Sequence, residues 1–234
     1  PKFNKDYGQM LIDFIKKKVK VLVSTASFGS PLVSVWLDQE SSKYNITFDR
    51  LDDNTDTSRP LAMHSRLRGK MPKMISWENN PGYDYYIWID SSFSIPDNTS
   101  IERMVDYCIG TDACFFKHSG RTSVNEEANF VLDLMKEGSN YVLNRYGGEK
   151  IEEQLSHYNQ DEDWNDNFLI ECGTFIYSSN VIKDKNHNLM KEWFYHNCLW
   201  SVQDQLSLPY LLQKFETKYK LFKGNVYNNE YTKY

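Results

Sequence analysis

Residues 83–95 read YDYYIWIDSSFSI. The run of tyrosine, isoleucine and tryptophan is short, apolar and rich in aromatic and β-branched side chains, the composition of a buried strand. It ends on one carboxylate, Asp90, followed by Ser91 and Ser92. A buried strand finishes on a charge where something outside the sheet uses that charge, so Asp90 is the first candidate site residue.

On either side of this strand, helical and strand patterns alternate. VKVLVSTASFG (19–29) reads as a buried strand opening into a loop of small residues, and KYNITFDR (43–50) as a second strand. The stretch 60–77 reads as a helix with Pro60 in its first turn and Pro72 as a break. Residues 97–110 read as a helix with Asp97 or Asn98 as cap and Gly110 at its end. DACFFKH (112–118) is a strand, and 123–138 a helix with Ser123 and Glu126 at capping-box spacing. The stretch 149–167 is irregular and helix-rich. LIECGTFIYS (169–178) is a strand, 187–200 and 203–215 are helices, and YKLFKGN (219–225) is a late strand. Residues 11–20 form a short amphipathic helix with a basic tail.

The alternation predicts an α/β fold with a largely parallel central sheet flanked by helices. Such sheets bind ligands beyond the carboxyl ends of their strands. Asp90, the 24–29 loop, Asp49 and His118 all fall at such ends.

A chain of 234 residues with net charge −5 can bury a sizeable core. Its balance offers no broad basic surface for nucleic acid. No stretch is long and apolar enough to span a bilayer, and no signal peptide is visible. The chain begins at Pro1 rather than Met, so the expectation is that an upstream part has been cut away. Cys108, Cys114, Cys172 and Cys198 form no CxxC pair and sit in apolar settings, as buried free thiols of a reducing, cytoplasmic compartment do.

Each candidate has a functional and a structural reading. Asp90 can hold a divalent metal that bridges a diphosphate, or cap the turn that follows. There is one carboxylate here rather than an Asp-x-Asp pair. Arg66, Lys70 and Lys73 share one helical face, as a diphosphate-binding surface or as a solvated basic stripe. TASFGS (25–30) lets the backbone approach a ligand, but neither GxGxxG nor a P-loop is present. His118 and Arg121 either face the site or tie down a loop. Glu171, two residues before Gly173, is a charge inside an apolar strand, so it is paired or faces a cleft. Asp204 begins a helix, either as its cap or as a general base. Trp164, Tyr158 and Trp200 are candidates for stacking on sugar rings.

Three ordered segments carry a resemblance: RLRGKMPKMISWENNPGYDYYIWIDSSFSI (66–95), FFKHSGRTSVNEEA (115–128) and SVQDQLSLPYLL (201–212). They resemble a glycosyltransferase-like family of formerly unknown function that includes plant proteins linked to seed-mucilage polysaccharide. The chain is also similar to GT-A-type glycosyltransferase domains of large algal viruses. The resemblance implies a GT-A-like single domain. Residues 21–120 would form its nucleotide-sugar-binding half and 121–234 its acceptor-binding and catalytic half, behind the 1–20 helix.

It further implies a nucleotide-sugar donor, UDP by default, and a glycan or glycoprotein acceptor. Mn2+ or Mg2+ would sit at Asp90, with Ser91 and Ser92 beside it. Arg66 and Lys70 would lie near the diphosphate, and Thr25, Ala26, Phe28 and Asp49 around the nucleoside. His118, Arg121, Glu171 and Gly173 would face the sugar or acceptor. Asp204 matches the inverting general base. The alternatives are a non-catalytic nucleotide- or glycan-binding module and a hydrolase on the same fold.

Overall fold

The structure is a computed structural model that describes residues 18–55 and 63–234. The helix expected over 11–20 lies almost wholly outside the described residues, as does Pro60.

Six strands form one sheet: β1 (Val19–Ser27), β2 (Tyr44–Asp52), β3 (Tyr85–Ile89), β4 (Ala113–Lys117), β5 (Ile170–Ser178) and β6 (Tyr219–Leu221). Their order is β2-β1-β3-β5-β4-β6. All run parallel except β5, which pairs antiparallel with β3 and with β4. The sheet is therefore mostly parallel, as the alternating pattern predicts. It also interlocks the two sequence halves, because β5 lies between β3 and β4.

The period of two along each strand divides the core between the two faces of the sheet. In β3, Tyr86 and Trp88 join one cluster with Leu22, Phe175, Trp193 and Leu208. Ile87 and Ile89 join the other with Val21, Val23, Met104 and Phe116. Every one of these side chains is at least nine-tenths buried.

The helices are α1 (Ser65–Met74), α2 (Ser76–Asn79), α3 (Ser100–Cys108), α4 (Val124–Lys136), α5 (Asn140–Tyr146), α6 (Ile151–Asn159), α7 (Leu189–Leu199) and α8 (Asp204–Lys214). α1 does not break at Pro72 but runs two residues past it. So near a carboxyl end a proline removes few helical bonds, and the helix still closes with Ile75 N–H donating to Met71 O at 2.8 Å. α3 is capped at Thr99 rather than at Asp97 or Asn98. Asp97 instead accepts from the Thr99 amide one step earlier. Ser123 caps α4 as expected, accepting from Glu126 N–H. Glu126 does not complete the box, since its carboxylate takes the Thr122 amide and hydroxyl.

The free thiols of Cys108, Cys114 and Cys172 are buried, but Cys198 is exposed, on the outer face of α7. No helix among the described residues is long and apolar enough to cross a membrane.

Candidate active site

The chain proceeds from β1 to β2 on one side and then returns to place β3 on the other. A crevice therefore opens between the ends of β1 and β3, the switch point where parallel sheets bind ligands. A cleft of about 1100 Å³ occupies it.

Asp90 follows β3 directly, and its amide donates to Gly173 O on β5 at 2.7 Å. Two residues apart on a strand means one face, so Asp90 lies on the side of Trp88. The Trp88 indole donates to Asp90 Oδ1 at 2.5 Å. Lys73 Nζ, from α1, donates to the same oxygen at 3.3 Å.

The other end of this network is Asp204, the first residue of α8. Its Oδ2 takes Lys70 Nζ at 2.6 Å and Lys73 Nζ at 2.7 Å. It does not cap its helix: the N-cap is Gln203, and no side-chain cap bond forms. Burial acts to raise the Asp204 pKa, but the two ammonium groups outweigh it and hold the carboxyl well below the usual carboxylate range. Burial likewise acts to lower the Lys73 pKa, and Asp204 and Asp90 together push it above the usual lysine range. Lys70, with one carboxylate beside it, stays below that range through burial and repulsion from Lys73.

Arg66, Lys70 and Lys73 do share the face that lines the cleft. Arg66 is half-buried, and burial with the nearby charge of Arg145 lowers its pKa. Neither guanidinium has a carboxylate partner among the described residues. Arg145, on α5, stacks over Tyr141 at 4.6 Å. Arg68 turns away from this face, pairs with Asp53 at 2.7 Å and lies 4.3 Å over the Phe28 ring.

Ala26 and Phe28 line the cleft, as do Ser91 and Ser92. Thr25 does not: it is wholly buried. Asp49 is drawn aside, accepting from Asn80 Nδ2 at 3.1 Å, and is not on the cleft wall.

Beyond Asp204 a second buried carboxylate, Glu127, organises the floor. Arg121 Nε donates to its Oε2, and Gln203 Nε2 donates to Oε1 at 2.7 Å. Tyr146 in turn donates to Gln203 at 2.9 Å. His118 Nδ1 accepts from the amides of Gly120 and Arg121, shaping the loop after β4, while its ring borders the cleft. Burial lowers the His118 pKa, with Glu127 opposing. Glu171 is buried and satisfied by Ser119 N–H, Ser119 Oγ and Val226 N–H, at 3.1, 2.9 and 2.8 Å. It ties the C-terminal segment to the cleft wall. Gly173 leaves space there: a Cβ would meet Phe93 at 3.1 Å and Val226 at 3.2 Å.

The aromatic expectation is corrected. Tyr158 is wholly buried, Trp164 packs edge-on against Tyr210, and Trp200 stacks on His157. None lines the cleft. The exposed rings that do are Tyr227 and Tyr234, which contact each other at 5.4 Å beside Phe93, together with Phe130 and Tyr141.

A divalent metal at Asp90 does not fit these residues. Mg2+ and Mn2+ need several oxygen ligands, and among the described residues no cluster of Asp, Glu, His or Cys could hold one. The one carboxylate in place has its Oδ1 bound by an ammonium and an indole N–H, which leaves Oδ2 as its single open oxygen.

A mostly parallel sheet thus brings cations and carboxylates together at its switch point. A family model for the TOD1/MUCI70 glycosyltransferase-like domain matches residues 58–234, and the chain belongs to that family. No curated protein matches the chain in sequence. Among solved structures, it is similar to a glycosyltransferase involved in glycosylating the major capsid of PBCV-1. The identity is 9%, the TM-score 0.44, and the match covers 89% of this chain and 82% of that one.

Proposed function

We propose that the chain transfers a sugar from a nucleotide-diphosphate sugar, a UDP-sugar first, to a hydroxyl of a glycan or glycoprotein, with inversion at the anomeric carbon. The observation that carries this reading is the convergence of Asp204 and the α1 cations on one cleft at the switch point. A diphosphate needs concentrated positive charge, and Arg66, Arg145 and Lys70 supply it. Ala26 and Phe28 flank the nucleoside. Tyr227 and Tyr234 offer faces on which an acceptor sugar stacks. The free thiols support a cytoplasmic setting.

In the reaction, an acceptor oxygen attacks the anomeric carbon while the bond to the diphosphate breaks. The nucleoside diphosphate leaves with the electron pair, and the hydroxyl proton passes to Asp204. With both lysines on it, Asp204 is ionised but weakly basic. A bound diphosphate competes for Lys70, and a carboxylate that loses a cation becomes a better proton acceptor. His118 and Arg121 position the floor through Glu127.

The test is acceptor-dependent release of UDP from a panel of UDP-sugars. Release that needs both donor and acceptor supports the reading. Glycoside cleavage with no nucleotide donor present moves the chain to the hydrolase alternative, and donor binding without turnover moves it to the binding module.

A further inference from the structure

Lys73 is the most constrained cation in the cleft. Its side chain is 5% exposed, lies between Asp90 and Asp204, and sits 5.6 Å from the centre of the Trp88 ring. Asp90, Asp204, Lys70 and Lys73 form one connected group with two charges of each sign. Nothing in that group calls for another cation, and an added divalent ion at Asp90 would find one open oxygen, Oδ2, with an ammonium 3.3 Å from the other. Among the described residues, Arg66 and Arg145 then remain as two positive charges on the same cleft with no carboxylate partner, enough to balance the two or so negative charges of a diphosphate.

We infer that Lys73 is a resident cation standing where a divalent metal would stand, so that a nucleoside diphosphate binds in this cleft without any metal. The inference rests on the donor-site reading above and adds to it the electrostatic partner of the leaving group. Two features fit it. A lysine ammonium is a compact point charge able to serve carboxylate and phosphate oxygens in turn. And Lys73 is held from three sides, by two carboxylates and a ring, so it needs little reordering when the ligand arrives.

The experiment is calorimetric titration of UDP, GDP and dTDP into the intact chain, once with EDTA and once with Mn2+. The expected result is that at least one diphosphate binds with EDTA, and that Mn2+ changes its Kd by less than about threefold. A Kd that improves about tenfold or more with Mn2+ overturns the inference and leaves the donor reading standing. No binding of any diphosphate in either buffer overturns the donor reading and the inference together.

A second arm follows Mn2+ alone by its electron-paramagnetic resonance signal. The intact chain is expected to bind none. Lys73→Gln, which leaves Asp90 and Asp204 facing one site with one cation fewer, is expected to bind Mn2+. A folded Lys73→Gln that binds no more Mn2+ than the parent chain overturns the claim that Lys73 holds the metal's place. The first arm uses no variant, so it decides the matter even if Lys73→Gln does not fold.

Discussion

The two ends of α8 bury polar groups in opposite ways. At its start, Asp204 is ionised, 9% exposed by its side chain and paired with two lysines that face the cleft. Two turns on, Tyr210 stacks on Tyr158 with rings 4.2 Å apart, and Tyr158 stacks on His196. There the polar atoms are satisfied without net charge. Gln154 donates to the Tyr158 hydroxyl at 2.9 Å, and that hydroxyl meets His196 Nδ1 at 2.7 Å. Ser201 closes the chain on Gln154 at 2.7 Å. Charge is costly to bury, and neutral hydrogen bonds in a packed core are not. At Asp204 the costly arrangement opens on a cleft. A buried charge with access to ligand marks the working end of the helix, and the aromatic stack is its anchor.

The largest effect expected is at the ionic end. Asp204→Asn should lower acceptor-dependent transfer by about 10²–10⁴-fold, the usual worth of a positioned base. It should also destabilise the fold, towards about 3 kcal/mol, because two buried lysines lose an ionised partner while the amide oxygen still accepts from them. UDP binding should persist or tighten, since an anion beside the diphosphate site has gone. Calorimetry on the folded variant checks this. If UDP binding disappears along with transfer, Asp204 belongs to the donor site rather than to the proton transfer.

The two ends should also part company in acid. Burial, helped by His157, lowers the His196 pKa to about 4 from an ordinary value near 6.5. Between those values the unfolded chain takes up a proton that the folded one refuses. The stability from neutral His196 is therefore complete above about pH 6.5 and is lost as pH falls toward 4, on the order of 2–3 kcal/mol. Asp204 works in a lower window. Its depressed pKa contributes stability above the ordinary carboxylate value, about pH 4, and loses it only as pH falls further. His196→Phe should thus flatten the fall in melting temperature between pH 7 and 4.5, while the parent and variant curves run parallel below pH 4. An unchanged slope in His196→Phe would remove His196 as the cause.

Much of this contrast was legible in sequence, and the rest was not for definite reasons. A short apolar run rich in aromatic and β-branched side chains marks β3 and places its terminal Asp90. Arg66, Lys70 and Lys73 fell on one helical face by spacing alone. Spacing says which residues share a face, not what that face meets. Lys70 and Asp204 are 134 positions apart, and their pairing exists only once α1 and α8 pack on the same side of the sheet. For that reason spacing alone favours the cap reading of Asp204 over the catalytic one. Glu127 and Gln203 were overlooked because their neighbours explained them as helix-start residues. Arg145 lies between the stretches 123–138 and 149–167, where periodicity gives no signal, and among the described residues it has the Tyr141 ring beside it but no carboxylate. Composition cannot tell a buried ring from an exposed one: Tyr158 is fully buried, whereas Tyr227 and Tyr234 are the same residue type with the opposite exposure.

The smallest effect tests whether the anchor is only an anchor. Tyr158→Phe keeps the ring stack with Tyr210 and removes one hydroxyl. Gln154 Nε2 then loses its acceptor and His196 Nδ1 its partner, in a region with little room for water, since Tyr158 and Gln154 are both fully buried. Leaving such groups unsatisfied costs about 1–3 kcal/mol, read as a lower denaturation midpoint with an unchanged m-value. The same variant should bind UDP as the parent does, because no atom of Tyr158 reaches the cleft. A loss of UDP affinity without loss of stability would show that the aromatic stack sets the position of α8 at the cleft, and the division between the two ends of the helix would fail.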